Sequence, residues 1–297
     1  MSSKEHLSPK QELIANFEQR SRDNFIFRLF WMYSQLYGSK RALESLPETG
    51  SLSEYCQAIL DGFNLEISSV VPEWLQSENG QGVLIYGPHT YHLEPFILAN
   101  LLSHREIYFV ALSHSLFMLP DEFQAMSLPV TPSHLAKDAR KMPGLAGIRQ
   151  RISRSMFAKD DMRSVAEMKQ ANLDVLQKAA ELLKAGKVVI IFPAASDNIY
   201  TSDWNNGIGN ITHYLDPKID NVLLQPFDIT QITFGKAIRN MRSTYVLHRP
   251  GETTKIDVTW KPPMTLAEVF AATSQIAKPE PNEVVQLLAQ NYRRQSQ

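Results

Sequence analysis

The sequence has little cysteine: Cys56 is the single thiol in 297 residues. One thiol cannot form an intrachain disulfide or a cysteine-based zinc site, so we expect neither, and we expect no metal or other cofactor. Cys56 lies in an apolar stretch with helical spacing. A buried, inert thiol is therefore the expected state, rather than a nucleophile.

The sequence also lacks an excess of either charge and any long apolar run. Thirty Lys and Arg residues against 31 Asp and Glu residues give a net charge of −1, which argues against a dedicated nucleic-acid-binding protein. No stretch reaches the roughly 18 apolar residues of a membrane span. Residues 1–10 lack the basic start and apolar run of a signal peptide. We expect a cytoplasmic protein, with peripheral contact at the inner face of a membrane as an open alternative.

The first part of the chain has a helical pattern. Apolar residues recur at helical spacing over residues 11–75, and a second helix is predicted over Ser53–Val70. The segment Asn24–Tyr37 is apolar nearly all round, which fits either a helix buried in a bundle or one lying in a membrane interface. The sequence therefore predicts an N-terminal helical region over residues 1–78 and a second domain over residues 79–297.

From residue 79 onward, short apolar runs alternate with helical stretches. Strands are predicted over residues 83–86, 107–112, 188–192, 222–227, 245–248 and 255–260. Helices are predicted over residues 95–102, 164–184, 266–272 and 282–294, with a basic helical or loop region over 134–154. This alternation predicts an α/β fold, with a mostly parallel central sheet flanked by helices.

The first predicted strand leads directly into two residues that can do chemistry. His89 follows the strand, and Glu94 lies five residues on, at the start of the next helix. A carboxylate bonded to one imidazole nitrogen fixes the tautomer, so that the other nitrogen can accept a proton from an attacking hydroxyl. The alternative is structural: Glu94 favours the positive helix N-terminus and His89 is an ordinary loop histidine.

A resemblance to a known family favours the catalytic interpretation. The segment 82–102, GVLIYGPHTYHLEPFILANLL, resembles the first block of the glycerol-3-phosphate and lysophosphatidate acyltransferase superfamily, where a strand leads into N-H-x4-D and an apolar helix. Further segments resemble the later blocks in the expected order: YFVALSHSLFMLP (108–120), GKVVIIFPAASDN (186–198), WNNGIG (204–209), VLLQPFD (222–228) and the strand-and-proline element at 258–263.

The resemblance implies an acyltransferase with a thioester donor. His89 would act as general base on the hydroxyl of a lipid-like acceptor, and Glu94 would orient His89. The donor would be acyl-CoA or an acyl-carrier protein, and the mechanism needs no covalent intermediate. We expect Arg149, Arg151 and Arg154 to bind the donor, through the phosphates of coenzyme A or the acidic surface of a carrier protein. A solvated helix face is the alternative for these arginines.

The sequence departs from the family motif at several positions. The aspartate is Glu94, which makes the motif H-x4-E. The Glu-Gly pair after Phe-Pro is Ala194-Ala195, the following arginine is Asp197, and Lys159 replaces the arginine that closes the short middle strand.

These departures bear on the acceptor. We expect Lys159, Ser196 and Asn198 to contact it, with weaker phosphate binding because an arginine fork is lost. Two alternatives stay open. One is an acyl- or lipid-binding homologue without activity, and the other is an acyltransferase for a non-phosphorylated acceptor such as an amine, a sugar or a long-chain alcohol.

Overall fold

The computed structural model describes most of the chain from residue 51 onward. The described ranges are 51–77, 80–89, 93–113, 121–140, 143–157, 161–194, 197–200, 204–230, 253–273 and 278–296, with isolated residues between 10 and 22. The described strands are β1 (Leu65–Ser69), β2 (Gly82–Tyr86), β3 (Ile107–Leu112), β4 (Ser127–Val130), β5 (Val188–Ile191), β6 (Val222–Ile229), β7 (Thr254–Trp260) and β8 (Met264–Thr265). The described α-helices are α1 (Leu52–Gly62), α2 (Glu73–Gln76), α3 (Glu94–Leu101), α4 (Asp121–Ala125), α5 (Gly144–Phe157), α6 (Val165–Lys184), α7 (Gly207–His213), α8 (Leu266–Thr273) and α9 (Pro281–Gln295).

The described strands form one mixed sheet in the order β1-β7-β6-β2-β5-β3-β4. The five strands from β6 to β4 are parallel to their neighbours. β7 pairs antiparallel with the carboxyl half of β6, and β8 pairs antiparallel with its amino half. β1 is parallel to β7. The predicted α/β fold with a mostly parallel sheet is confirmed.

Alternation along β2 divides the core into two layers. All five β2 residues are buried, as expected for a central strand of a parallel sheet. Val83 and Ile85 face a cluster that includes side chains of α1 and α3. Leu84 and Tyr86 face a second cluster, built with α6, α7, α8 and α9. Helices therefore cover both faces of the sheet. β2 is its most protected strand, and the carboxyl end of β2 leads to the next segment at this protected position.

A buried arginine holds the amino edge of the sheet together. Arg105 precedes β3 and is only 7% exposed. Its Nη1 donates to the carbonyl oxygen of Ser77 (2.6 Å), and its Nη2 donates to those of Gln81 and Gly186 (3.3 Å each). One guanidinium thus joins the segments that lead into β2 and β5. The five donors of a planar guanidinium suit such a role.

The C-terminal helix α9 is tied to the sheet through polar contacts. Tyr292 is fully buried, and its hydroxyl donates to the carbonyl oxygen of Phe227 at 3.0 Å. Burial raises the pKa of Tyr292, with the Asp228 carboxylate adding to the effect. Lys261, after β7, places Nζ 3.3 Å from Asp228 Oδ2 and 4.3 Å from the Tyr292 ring centroid, and it also donates to Ser296.

The helical prediction over Ser53–Val70 is wrong beyond residue 62. Helix α1 ends at Gly62, and Asn64 takes a positive φ of 53° that turns the chain into β1. β1 is a short strand whose pairing partner, β7, lies almost 190 residues later. A local periodicity cannot report a partner at that distance. The predicted boundary between an N-terminal region over residues 1–78 and a second domain over residues 79–297 stays a prediction.

Other predictions fall outside the described residues or are refined. The predicted strand 245–248 and the apolar segment 24–37 lie outside the described ranges. The sequence missed β4, β8, α2, α4 and α7. No helix among the described residues is both long and apolar enough to cross a bilayer.

Candidate active site

His89 lies where the central strand of the sheet ends. β2 runs between β5 and β6, and the chain continues through Gly87 and Pro88 to His89. From β2 the connections proceed to both sides, since β3 and β5 lie on one side and β6 on the other. Crevices at the carboxyl ends of parallel strands, where connections diverge in this way, are the usual binding position in open α/β sheets.

His89 and Glu94 are in contact. Nδ1 of His89 lies 3.1 Å from Oε2 of Glu94. The His89 side chain is 24% exposed, whereas the Glu94 side chain is fully buried. Glu94 is the first residue of α3, where a carboxylate also interacts favourably with the helix dipole. The pair therefore joins a buried carboxylate to an imidazole that reaches the surface.

An aromatic stack fixes the plane of the imidazole. The Phe192 ring, directly after β5, stacks on His89 with ring centroids 4.4 Å apart and an interplanar angle of 22°. Phe192 in turn meets Phe227 of β6 edge to face at 6.5 Å. The stack with Phe192 and the contact with Glu94 thus restrict rotation of the imidazole, and Phe227 packs against Phe192.

The backbone beneath His89 passes very close to the Phe227 ring. A Cβ placed on Gly87 would lie 2.4 Å from Cε1 of Phe227. Phe227 is fully buried, so its ring has little room to withdraw. Glycine at position 87 lets the chain leave β2 along this path and brings His89 over Phe192.

This arrangement can accept a proton from a bound hydroxyl. With Glu94 ionised and the ring proton on Nδ1, the carboxylate would accept a hydrogen bond from Nδ1–H, and the lone pair of the ring would lie on Nε2. A buried carboxylate in that position would stabilise an imidazolium formed by proton transfer to Nε2. A base oriented by a third group in this way is the arrangement that activates hydroxyl nucleophiles.

The loop after β5 is anchored at its far end. Ala194 is 3% exposed and belongs to the core, while Ala195 and Ser196 lie outside the described residues. Asn198 lies in a 3-10 turn over Asp197–Tyr200. The Tyr200 hydroxyl donates to Asp228 Oδ1 at 2.6 Å. The backbone at Asn198 is therefore held near the carboxyl half of β6, and its predicted contact with an acceptor stays a prediction.

The arginines predicted to bind the donor lie on α5. Arg149 and Arg151 belong to this helix, and Arg151 is exposed. Arg154 donates from Nη1 to the carbonyl oxygens of Ala136 and Lys137, at 2.9 and 3.1 Å. Arg154 thus fastens α5 to the preceding loop, and donor binding by the three arginines stays a prediction.

The short strand expected before Lys159 is not a strand. Residues 155–157 form the last turn of α5, and Lys159 itself lies outside the described residues. The strand that precedes α5 in the structure is β4. Its exposed Pro129 interrupts the apolar pattern by which a strand is predicted from sequence. A long connection containing α5 separates β4 from α6.

Sequence reasoning missed the residues that shape the site. Phe192 and Phe227 were visible only as the ends of apolar strands, and their stacking depends on strand order. A polar cluster at the ends of β3 and β4 was also missed. There Thr131 Oγ1 lies 2.8 Å from Ser113 Oγ and 3.1 Å from Nη2 of Arg163, which is paired with Asp161. Polar residues just after buried strands are the signal that could have found it.

Within the described ranges, no group of three or more His, Cys, Asp or Glu side chains is placed to hold a metal ion. The His89–Glu94 pair supplies only two of the side chains that such a site would need.

Comparisons with known proteins give a likeness in structure but none in sequence. No protein-family model matches the chain, and no curated protein matches it. Among solved structures, the chain is similar to the 1-acyl-sn-glycerophosphate (LPA) acyltransferase PlsC from Thermotoga maritima. The sequence identity is 12%, the match covers 92% of this chain and 95% of that one, and the TM-score is 0.36. A likeness of that size does not by itself assign an activity.

Proposed function

We propose that this protein is an acyltransferase that moves a fatty-acyl group from a thioester to a hydroxyl acceptor. The observation that carries the proposal is the contact of 3.1 Å between His89 Nδ1 and the fully buried Glu94 carboxylate, at the carboxyl end of the central strand. The H-x4-E motif and the order of the following segments support the same reaction class.

In the proposed reaction, the acceptor hydroxyl attacks the thioester carbonyl directly. Nε2 of His89 takes the hydroxyl proton as the new ester bond forms. The C–S bond then breaks, and the proton goes to the departing thiolate. General-base catalysis of this kind contributes roughly 10²–10⁴-fold. The donor is acyl-CoA or an acyl-carrier protein, and no further cofactor takes part.

The acceptor is a lipid-like molecule that carries a hydroxyl group. Ala194 is buried in the core at the position where the family motif has a glutamate, so this part of the loop offers no charge to a headgroup. Lys159, Ser196 and Asn198 remain the residues proposed to contact the acceptor. Weak dependence on an acceptor phosphate follows from the loss of the arginine beyond Phe-Pro.

The test is an acyl-transfer assay. The purified protein is incubated with acyl-CoA or acyl-carrier protein and a pool of lipid acceptors, and acylated products are detected by mass spectrometry. The informative variant is His89→Asn. Its amide NH₂ can still donate to the buried Glu94 carboxylate, so the contact is preserved while the proton-accepting nitrogen is lost. We expect its kcat/KM to fall by roughly 10²–10⁴-fold with little change in thermal stability.

Two controls make the result interpretable. Asn100→Ala on the same helix α3 removes an amide that bonds Ser53 and Gln57, away from the proposed chemistry, and should leave kcat unchanged. Turnover by His89→Asn equal to that of the wild type would refute the mechanism. Acyl ligand that co-purifies with the wild type, without turnover on any donor, would instead identify an acyl-binding homologue.

A further inference from the structure

Exposed apolar side chains are concentrated at the carboxyl edge of the sheet, on the side of β3 and β4. Leu112 ends β3 and is 44% exposed, and Met162, 67% exposed, precedes α6. Ile148 and Ile152 lie one helical turn apart on α5 and are 46% and 42% exposed. The other large apolar residues exposed in the described part of the chain are Val70, Trp74 and Ile219, next to β1 or before β6.

Helix α5 is held firmly against this edge. The chain leaves β4 at Thr131 and passes through the 3-10 turn Ser133–Leu135. Gln150 Nε2 then donates to the carbonyl oxygen of His134 at 2.8 Å, and Arg154 donates to that of Ala136 at 2.9 Å. These bonds fix the inner side of α5, so Ile148 and Ile152 are presented outward by a helix with a defined orientation.

The same segment is strongly basic in a chain that is not. Residues 137–159 contain seven Lys and Arg residues and one acidic residue, whereas the whole chain has a net charge of −1. Helix α5 itself carries three arginines and no acidic residue. An exposed helix face that combines Ile148 and Ile152 with Arg151 is complementary to an anionic surface into which apolar groups can insert.

We propose that this face, made of α5 with Leu112 and Met162, docks on a lipid bilayer that contains anionic headgroups. The isoleucines enter the acyl boundary, and Arg151 lies among the phosphates. We favour a bilayer over a protein partner because the exposed apolar residues come from three separate segments, and two of these residues flank the exposed Arg151 on α5. The proposal does not depend on the reaction proposed above.

The test is co-sedimentation of the full-length chain with vesicles. One set is phosphatidylcholine alone, and the other is phosphatidylcholine mixed with phosphatidylglycerol. We expect binding to the mixed vesicles that falls with added salt. The Ile148→Ser/Ile152→Ser and Arg151→Glu variants should each bind the mixed vesicles about tenfold more weakly. Ile219→Ser is the matched control, since this isoleucine is 80% exposed but precedes β6, and it should bind as the wild type does.

Three outcomes would overturn the proposal. The first is absence of binding to either kind of vesicle. The second is equal binding by the wild type and both α5 variants, which would place the membrane contact elsewhere in the chain. The third is binding to an acidic acyl-carrier protein, lost in Arg151→Glu, without vesicle binding, which would make the face a protein-docking surface. Vesicle binding is measured without turnover, so its failure is separable from failure of the acyltransferase assay.

Discussion

Glu94 shows how one residue can serve a helix and a neighbouring imidazole at once. It begins α3, where a carboxylate is favourable, and its side chain is fully buried while contacting His89 at 3.1 Å. A buried carboxylate is costly unless it is hydrogen-bonded. The contact with the imidazole therefore offsets part of the cost of burying Glu94. Glutamate is one methylene longer than the aspartate of the H-x4-D motif, and its carboxylate still reaches His89.

The stability of the site also depends on a residue without a side chain. Because a Cβ at Gly87 would lie 2.4 Å from the buried Phe227 ring, Gly87→Ala should destabilise the protein by about 1–3 kcal/mol, as overpacking usually does. It should also lower turnover by displacing His89. Chemical denaturation followed by circular dichroism measures the first effect.

A double-mutant cycle supplies the control for Gly87→Ala. Phe227→Leu removes the ring atoms that the new methyl would meet, so the double variant should recover part of the loss caused by Gly87→Ala. Additive losses in the two variants would show that the clash with Phe227 is not the cause.

At the scale of elements, sequence signals worked where they were local. The helix predicted over residues 164–184 is α6 in the structure, and Ser164 and Glu167 form a capping box at its start. The buried run of β2 was equally plain. By contrast, β1 is recognisable only from its pairing with β7, and β4 is four residues long and contains Pro129.

The site divides in the same way. His89 and Glu94 were found because a strand-to-helix turn holds them five residues apart. The Phe192 and Phe227 contacts depend on strands that are separated along the chain and adjacent in the sheet. No local pattern contains that order, so the packing around the imidazole could not be predicted.

The elements at the amino edge of the sheet should depend on Arg105. Arg105→Met keeps the length of the side chain but removes the donors to the carbonyl oxygens of Ser77, Gln81 and Gly186. The loss of these part-buried hydrogen bonds from a charged donor should lower the free energy of unfolding by roughly 1.5–3 kcal/mol. Thermal and urea denaturation measure this loss.

The matched control for Arg105→Met is Arg294→Met, at an exposed position near the end of α9. It changes the same side-chain type and should leave the free energy of unfolding within about 0.5 kcal/mol of the wild type. Equal stability of the two variants would contradict the role given to Arg105.

At the scale of the whole molecule, buried thiol and phenol groups predict that folding stability falls at alkaline pH. Burial raises the pKa of Cys56 from 9.0 to about 12, and it also raises the pKa values of Tyr55 and Tyr86. The unfolded chain therefore releases these protons before the folded chain does. The contribution of these groups to folding stability is fully present below about pH 9 and is lost as the pH rises toward 12.

Cys56→Ala isolates the contribution of the thiol. Between about pH 9 and pH 10, the wild type should lose about 1 kcal/mol more of its unfolding free energy than the variant does. Urea titrations at the two pH values measure the difference. Identical pH dependence in both proteins would mean that the thiol is accessible in the folded state, which reaction with a thiol reagent would then show directly.

The position of β2 between β5 and β6 has a consequence for synthesis on the ribosome. The strand that carries His89 is complete at residue 86, but its neighbours begin at residues 188 and 222. At roughly 5–20 residues per second, the nascent chain holds an unpaired, wholly apolar strand for on the order of ten seconds. The edge of the sheet beside His89 is thus assembled only after β5 and β6 have been synthesised. Until then β2 is an unpaired apolar segment of the kind that chaperones bind.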